Sequence, residues 1–182
     1  MEPTDLVRLK IVLLEVIPPV WRRVQVPANL TLRRLHSVLQ CVMGWTEAEE
    51  HQFQVGATLY GKLSDASGPL RDSRWTTVGD VVAASGATAF RYGLGPDGRW
   101  EHEVLIEDLA EGNPNNQRPV CLAGERACPP PDCGGPDEYV DRVAAKTPFL
   151  PAAEAFRGAR DLKFDPEHFD IEAVNRALAW LR

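Results

Sequence analysis

Cys121, Cys128 and Cys133 fall within thirteen residues, in a stretch from 121 to 136 that also carries four prolines and three glycines. Proline fixes φ and glycine admits turns, so this backbone is held bent and its thiols stay within reach of one another. With the spacing Cys-x6-Cys-x4-Cys, three thiolates have the chemistry to bind zinc, and His51 or His102, brought near by folding, would complete a closed tetrahedral site. Such a site is structural, because a filled ligand shell leaves no position for a reactive water. The tight Cys-x2-Cys knuckle is missing, and a proline-rigidified loop with partly buried thiols accounts for the same residues. Zinc is therefore one of two open readings of this lobe, and the one cofactor its residues suggest.

A cysteine beside His51 or His102 also has the makings of a nucleophile and its base. The chain holds no Gly-x-Ser-x-Gly elbow, no phosphate-cradling loop ending in Gly-Lys-Ser and no His-Glu-x-x-His. A cysteine/histidine-dependent enzyme of unknown substrate, like a structural-zinc protein, is thus the alternative to a non-catalytic accessory or binding role, which asks for the least unobserved machinery. Binding has its own candidates. Arg22, Arg23, Arg33 and Arg34 lie close along the chain with Trp21 beside them, a combination that sets guanidinium groups and one aromatic on a shared surface for phosphate or an acidic peptide. A solvated charged face explains the same residues. The net charge of −6 argues against a generic DNA-coating protein, yet residues 1–40 carry six basic and three acidic side chains, leaving this segment at +3 and the remainder at −9. The expected partner is a weakly held, salt-sensitive nucleic acid or an acidic protein.

The elements that must position these residues belong to a chain of 182 residues, 44% of them apolar, enough for one core; the expectation is a single domain over 1–182, and a monomer. The start, Met-Glu-Pro-Thr-Asp, has acids where a secretory leader has lysine or arginine, and no apolar run reaches the roughly 18 residues of a membrane span. The expected compartment is the cytoplasm, with no membrane partner and with the cysteines as thiols.

Alternation predicts a strand from Leu6 to Val16, ended by Pro18-Pro19, and a second from Val20 to Val26. Thr31 caps a helix whose apolar stripe is Leu32, Leu35, Val38, Leu39, Val42 and Met43, with Gly44 as its left-handed exit and His36 as a boundary histidine packing its ring. Gln52 to Gly61 reads as two short strands about Gly56-Ala57, residues 64–74 as a loop, and Thr77 with Asp80 as the opening of a short helix closed by Gly86. Two further strands, Thr88–Tyr92 and Trp100–Glu107, flank the turn Gly93–Gly98, and the second sets Trp100, His102, Val104 and Ile106 on one face, turning His102 toward the core. After a polar loop, Glu111 to Arg118, and the cysteine lobe come a helix over Glu138–Ala145, an irregular stretch Pro148–Asp161 and a terminal helix begun at Asp170. The expected fold is α+β: a mostly antiparallel sheet in the order β-β-α-β-β-α-β-β, then the cysteine-rich loop and C-terminal helices.

Pro-Pro-Val-Trp-Arg-Arg at 18–23, Thr-Leu-Arg-Arg-Leu-His at 31–36, Met-Gly-Trp at 43–45, His51-Gln-Phe53, Trp100-Glu-His102-Glu, Cys121 through Gly135 and Phe164-Asp-Pro-Glu-His-Phe-Asp170 together resemble the plasmid pRiA4b ORF-3-like family, over about residues 6 to 178. The resemblance implies a single α+β domain of a kind carried on plasmids and insertion elements, some of whose members are labelled transposon resolvases. A serine recombinase needs an early strand-borne serine among arginines, whereas the first serine here, Ser37, falls inside the first helix. Three places depart from the family pattern: Leu94–Arg99 replaces an acidic aromatic turn, Glu49 stands where a second histidine often precedes His51, and Arg157–Asp161 replaces a tryptophan and glycines.

Overall fold

The computed structural model describes residues 5–45, 50–62, 70–85, 88–95, 99–112, 117–130, 133–144 and 164–181. Glu49, the helix stop Gly86, the centre of the 93–98 turn, parts of the 111–118 loop and of the cysteine lobe, and the stretch Pro148–Asp161 lie outside them.

Strands β1 (Leu6–Leu13) and β2 (Trp21–Pro27) pair antiparallel with Leu9 opposite Val24, so that Val7, Leu9 and Ile11 join Val24 and Val26 on one buried face. Helix α1 (Leu32–Met43) begins where Thr31 Oγ1 accepts the Arg34 amide at 3.3 Å and ends at Gly44, whose φ of 77° only glycine adopts without strain. Its buried stripe covers that face, and His36, expected at the boundary, lies inside it. Strands β3 (His51–Val55), β4 (Thr58–Lys62) and β5 (Leu70–Asp72) precede α2 (Val78–Ser85), which opens with a reciprocal pair of bonds: Asp80 accepts the Thr77 amide at 2.8 Å and Thr77 Oγ1 accepts the Asp80 amide at 3.1 Å. Strands β6 (Ala89–Leu94), β7 (Trp100–Ala110) and β8 (Val120–Glu125) then lead to α3 (Pro136–Ala144) and α4 (Ile171–Leu178).

All eight strands form one sheet, in the order β5-β4-β3-β6-β7-β1-β2-β8, and β5 runs parallel to β4. This corrects the expected mostly antiparallel α+β arrangement with its C-terminal helices: the molecule is sheet-rich, its sheet is mixed, and its helices are few, α2, α3 and α4 having eight, nine and eight residues. Two strands account for the difference. Leu70-Arg-Asp, inside the expected loop 64–74, is a strand of three residues, too short for alternation to show. Val120–Glu125 is β8, so the first residues of the expected cysteine lobe are strand, with a register shift between Arg23 and Val24, and Cys121 lies opposite Val24. Among the described residues no helix is long and apolar enough to cross a membrane.

The edge strand β8 would present unpaired backbone groups. Asn175 of α4 meets them: its Oδ1 accepts the Cys121 amide at 2.8 Å and its Nδ2 donates to the Cys121 carbonyl at 2.9 Å, as a neighbouring strand would. Asn175→Ala is expected to lower the free energy of urea unfolding by about 1–3 kcal/mol, two net hydrogen bonds and a bared edge. Asn175→Asp, which sets a carboxylate against the Cys121 carbonyl, should cost more. Equal stability of the three proteins would show that α4 does not hold this edge.

Candidate functional site

Alternation along β2 sends Arg22 inward, under α1, while Trp21 and Arg23 face the other side of the sheet. Arg22 is 2% exposed, and every one of its five N–H donors is used. Nε donates to the Val42 carbonyl at 2.9 Å, one terminal nitrogen to Trp21 O at 2.7 Å and Glu125 O at 2.8 Å, and the other to Arg126 O at 2.7 Å and Cys128 Sγ at 3.5 Å. Its guanidinium carbon lies 4.0 Å from the centre of the Phe169 ring. That contact passes over Gly124, where a Cβ would come within 2.8 Å of both Arg22 Cδ and Phe169 Cε1. Among the described residues no carboxylate touches this arginine. Burial lowers its pKa, and the Cys128, Cys121 and Tyr139 side chains work in the opposite sense.

The three cysteines of the lobe take different partners. Cys121 Sγ reaches Ala123 O and Cys133 Sγ reaches Gly135 O, each at 3.5 Å, while Cys128 Sγ lies 3.2 Å from Met43 Sδ. Burial raises the Cys121 thiol, and it pushes Cys128 up to about 12 even though Arg22 pulls the other way; for Cys128 the loss of water outweighs a neighbouring positive charge. A guanidinium at hydrogen-bond distance from Cys128 is also the wrong neighbour for a dication. Among the described residues no group of three His, Cys, Asp or Glu side chains is placed to hold a metal ion, so the expected ligands Cys121, Cys128, Cys133, His51 and His102 do not fit one zinc here. The lobe is fastened by other means: Trp45 Nε1 donates to Pro129 O at 2.9 Å and Tyr139 Oη to Ala127 O at 3.2 Å.

Both candidate histidines are buried, as their strand positions required, but in an aromatic cluster on the inner face of the sheet. The His51 ring stacks on His36 at 3.9 Å between centroids, His36 Nδ1 lies 2.7 Å from Tyr92 Oη, and His51 Nε2 lies 3.3 Å from Ser73 Oγ. His102 packs against Tyr92 and edge-on to Trp45, with centroids 5.2 and 5.3 Å away. Its Nδ1 is 3.2 Å from the Tyr92 carbonyl oxygen, and its Nε2 has no hydrogen-bond partner among the described residues. Complete burial lowers the His102 pKa to about 4 against a slight opposite pull from the Tyr92 and Trp100 carbonyls, and burial raises that of Tyr92. His102 is held neutral at pH 7. Sequence reasoning missed Ser73 and Tyr92 as partners of the histidines, because they join the cluster only through the fold.

The four arginines do not share a surface. Arg22 is buried, a correction to its assignment as an anion-binding residue that follows from inward alternation on β2. Arg23 is locked to Glu107 by two bonds of 2.6 and 2.8 Å, and Trp21 is flanked by Lys10 and Arg23 and donates to Glu125 at 3.1 Å. This open face of the sheet pairs its charges, with Arg8–Asp108 at 3.5 Å and Arg91–Glu103 at 3.8 Å. Arg33 and Arg34 are exposed on the first turn of α1, and among the described residues their guanidinium groups make no ion pair. Beside them runs the segment that carries Arg71, Arg74 and Trp75, whose Ser73 and Thr76 carbonyls accept the Arg33 and Leu32 amides.

The family model for plasmid pRiA4b ORF-3-like protein matches residues 5–173. A relative from Sinorhizobium fredii (strain NBRC 101917 / NGR234), named "Uncharacterized protein y4hQ", is 37% identical over 137 residues, 74% of this chain and 70% of its own. A crystal structure of a protein of unknown function, MM3350 from Methanosarcina mazei Go1, superimposes with a TM-score of 0.76 at 28% identity, covering 93% of this chain and 96% of that one.

Arg22→Lys offers three donors on a point charge in place of a five-donor fork and is expected to destabilise the protein by about 3 kcal/mol or more in urea unfolding; a loss below about 1 kcal/mol would show that the carbonyl cradle is not needed. For His102 the sign is set by the lowered pKa. The folded protein keeps the ring neutral down to about pH 4, whereas the unfolded chain takes up a proton below about 6.5, so stability is full above 6.5 and falls as pH drops between the two values. The fall should reach about 3 kcal/mol. Urea unfolding of the unmutated protein and His102→Asn across pH 4 to 7 checks this, the variant being expected to lack the slope.

Proposed function

The chain belongs to the plasmid pRiA4b ORF-3-like family, and from that premise we propose that it acts, as one domain over 1–182, as a non-catalytic accessory protein that holds an anionic partner on the cationic surface at the start of α1. The observation that carries this reading is the exposure of Arg33 and Arg34, with no ion pair to spend their charge among the described residues, next to Arg71 and Arg74. Guanidinium groups left to water in this way are available for phosphate or carboxylate. The side chains that would serve catalysis favour the same conclusion: burial keeps the Cys121 and Cys128 thiols protonated and the His102 ring neutral at pH 7. None offers a thiolate or an accessible base.

Retention on immobilised heparin at low salt tests the reading. The unmutated protein is expected to bind and to elute as salt rises, and Arg33→Ala/Arg34→Ala to elute at distinctly lower salt. Passage of the unmutated protein straight through the column at low salt would overturn it.

A further inference from the structure

The loop between β5 and α2 and the first turn of α1 form one surface. Leu32 N donates to Thr76 O at 2.8 Å and Arg33 N to Ser73 O at 3.0 Å, while Thr31 and Thr77 make an isolated bridge. These bonds consume first-turn amides of α1, so the surface attracts anions through its side chains. Arg33, Arg34, Arg71 and Arg74 are exposed there, with Asp72 beside Arg74 and Asp80 bonded to Thr77. Arg74 clamps the Asp72 carboxylate with three bonds of 2.6 to 3.1 Å, which hold its pKa below the usual range, while among the described residues Arg33, Arg34 and Arg71 carry no ion pair. Trp75, next to Arg74 in the loop that bonds to the start of α1, is 81% exposed. Burying an indole is among the largest apolar gains open to a chain, and this one is left in water.

We infer that this surface binds single-stranded nucleic acid, a base stacking on Trp75 while Arg33, Arg34 and Arg71 hold the flanking phosphates; the inference rests on the anionic-partner reading above and names the partner. The charge attracts any polyanion, but the exposed ring discriminates. An acidic peptide brings carboxylates and no π-face to stack, and a duplex keeps its base faces in the helix, whereas a single strand offers both phosphate and base. An anionic bilayer would ask for a broader apolar patch, and the other large exposed apolar side chains among the described residues, Ile17, Leu109, Leu122, Trp180 and Leu181, belong to other elements. With an overall charge of −6 and three arginines outside ion pairs among the described residues, affinity is modest, with Kd on the order of 10 μM at low salt.

Fluorescence anisotropy with a labelled 12-nucleotide oligo-dT, a duplex of the same length and phosphatidylglycerol vesicles as competitors tests the inference. The single strand should bind more tightly than the duplex, with log Kd rising against log salt with a slope of about 2, reduced below about 1 in Arg33→Ala/Arg34→Ala. Trp75→Ala should weaken binding about tenfold, and Trp75→Phe, which keeps a π-face, should recover most of it where Trp75→Leu does not. Thermal unfolding of each variant controls for folding, and the Phe and Leu pair carries the test if the alanine variant is unstable. Unchanged affinity on removal of the ring, equal affinity for duplex, or capture by vesicles without binding of the oligonucleotide would overturn it. Should heparin still retain the protein in those cases, the anionic-partner reading stands and only this one falls; should heparin fail as well, both fall.

Discussion

A buried guanidinium without a carboxylate is costly, since a positive charge taken out of water loses several kcal/mol of hydration. Arg22 recovers that loss from backbone carbonyls, a cysteine sulfur and one aromatic face, and those partners come from four separate parts of the chain: β2 itself, the last turn of α1, the segment after β8 and the Phe164–Asp170 segment. The Val42 carbonyl is one of the four that a helix leaves unpaired at its C-terminus, so the same bond serves both helix and arginine. Much else follows from this constraint. The strand opposite must lack a side chain, and Gly124 stands there; the C-terminal segment must lie across it, and Phe169 does. Three of the sequence blocks that carry the family resemblance meet at this point, although they are about 100 and 40 residues apart along the chain.

The inner face of the sheet is organised by the same preference for uncharged groups. His36 and His51 stack at 3.9 Å between ring centroids, and Tyr92 and His102 are shifted in opposite directions by the same cause, the absence of water. The open face of the sheet, by contrast, is charged but nearly self-neutralising, with Arg8, Arg23 and Arg91 each matched to an acid. At the start of α1, Arg33 and Arg34 make no ion pair among the described residues.

The archaeal protein from Methanosarcina mazei keeps this architecture over nearly its whole length at 28% identity. Thr31, Gly44, Thr77 and Asp80 set the ends of two helices by bonds that need only neighbouring residues, and similar devices can recur wherever those residues do.

Features that depend on near neighbours were legible in the sequence. The limits of α1, the hairpin of β3 and β4, the inward turn of His102 and the Asp170 cap of α4 all follow from periodicity or a capping residue. The parallel strand β5 and the strand character of Cys121 were not legible, because three residues and a bulge carry no period. Nor was the division of labour among the arginines. Arg22 and Arg23 are adjacent and chemically identical, and a period of two sends one to a closed cradle and the other to a surface ion pair with Glu107, 84 positions away. The sequence alone determined which side chains alternate. Only the tertiary structure decided which side was dry, because burial is set by what packs on the strand and not by the strand itself.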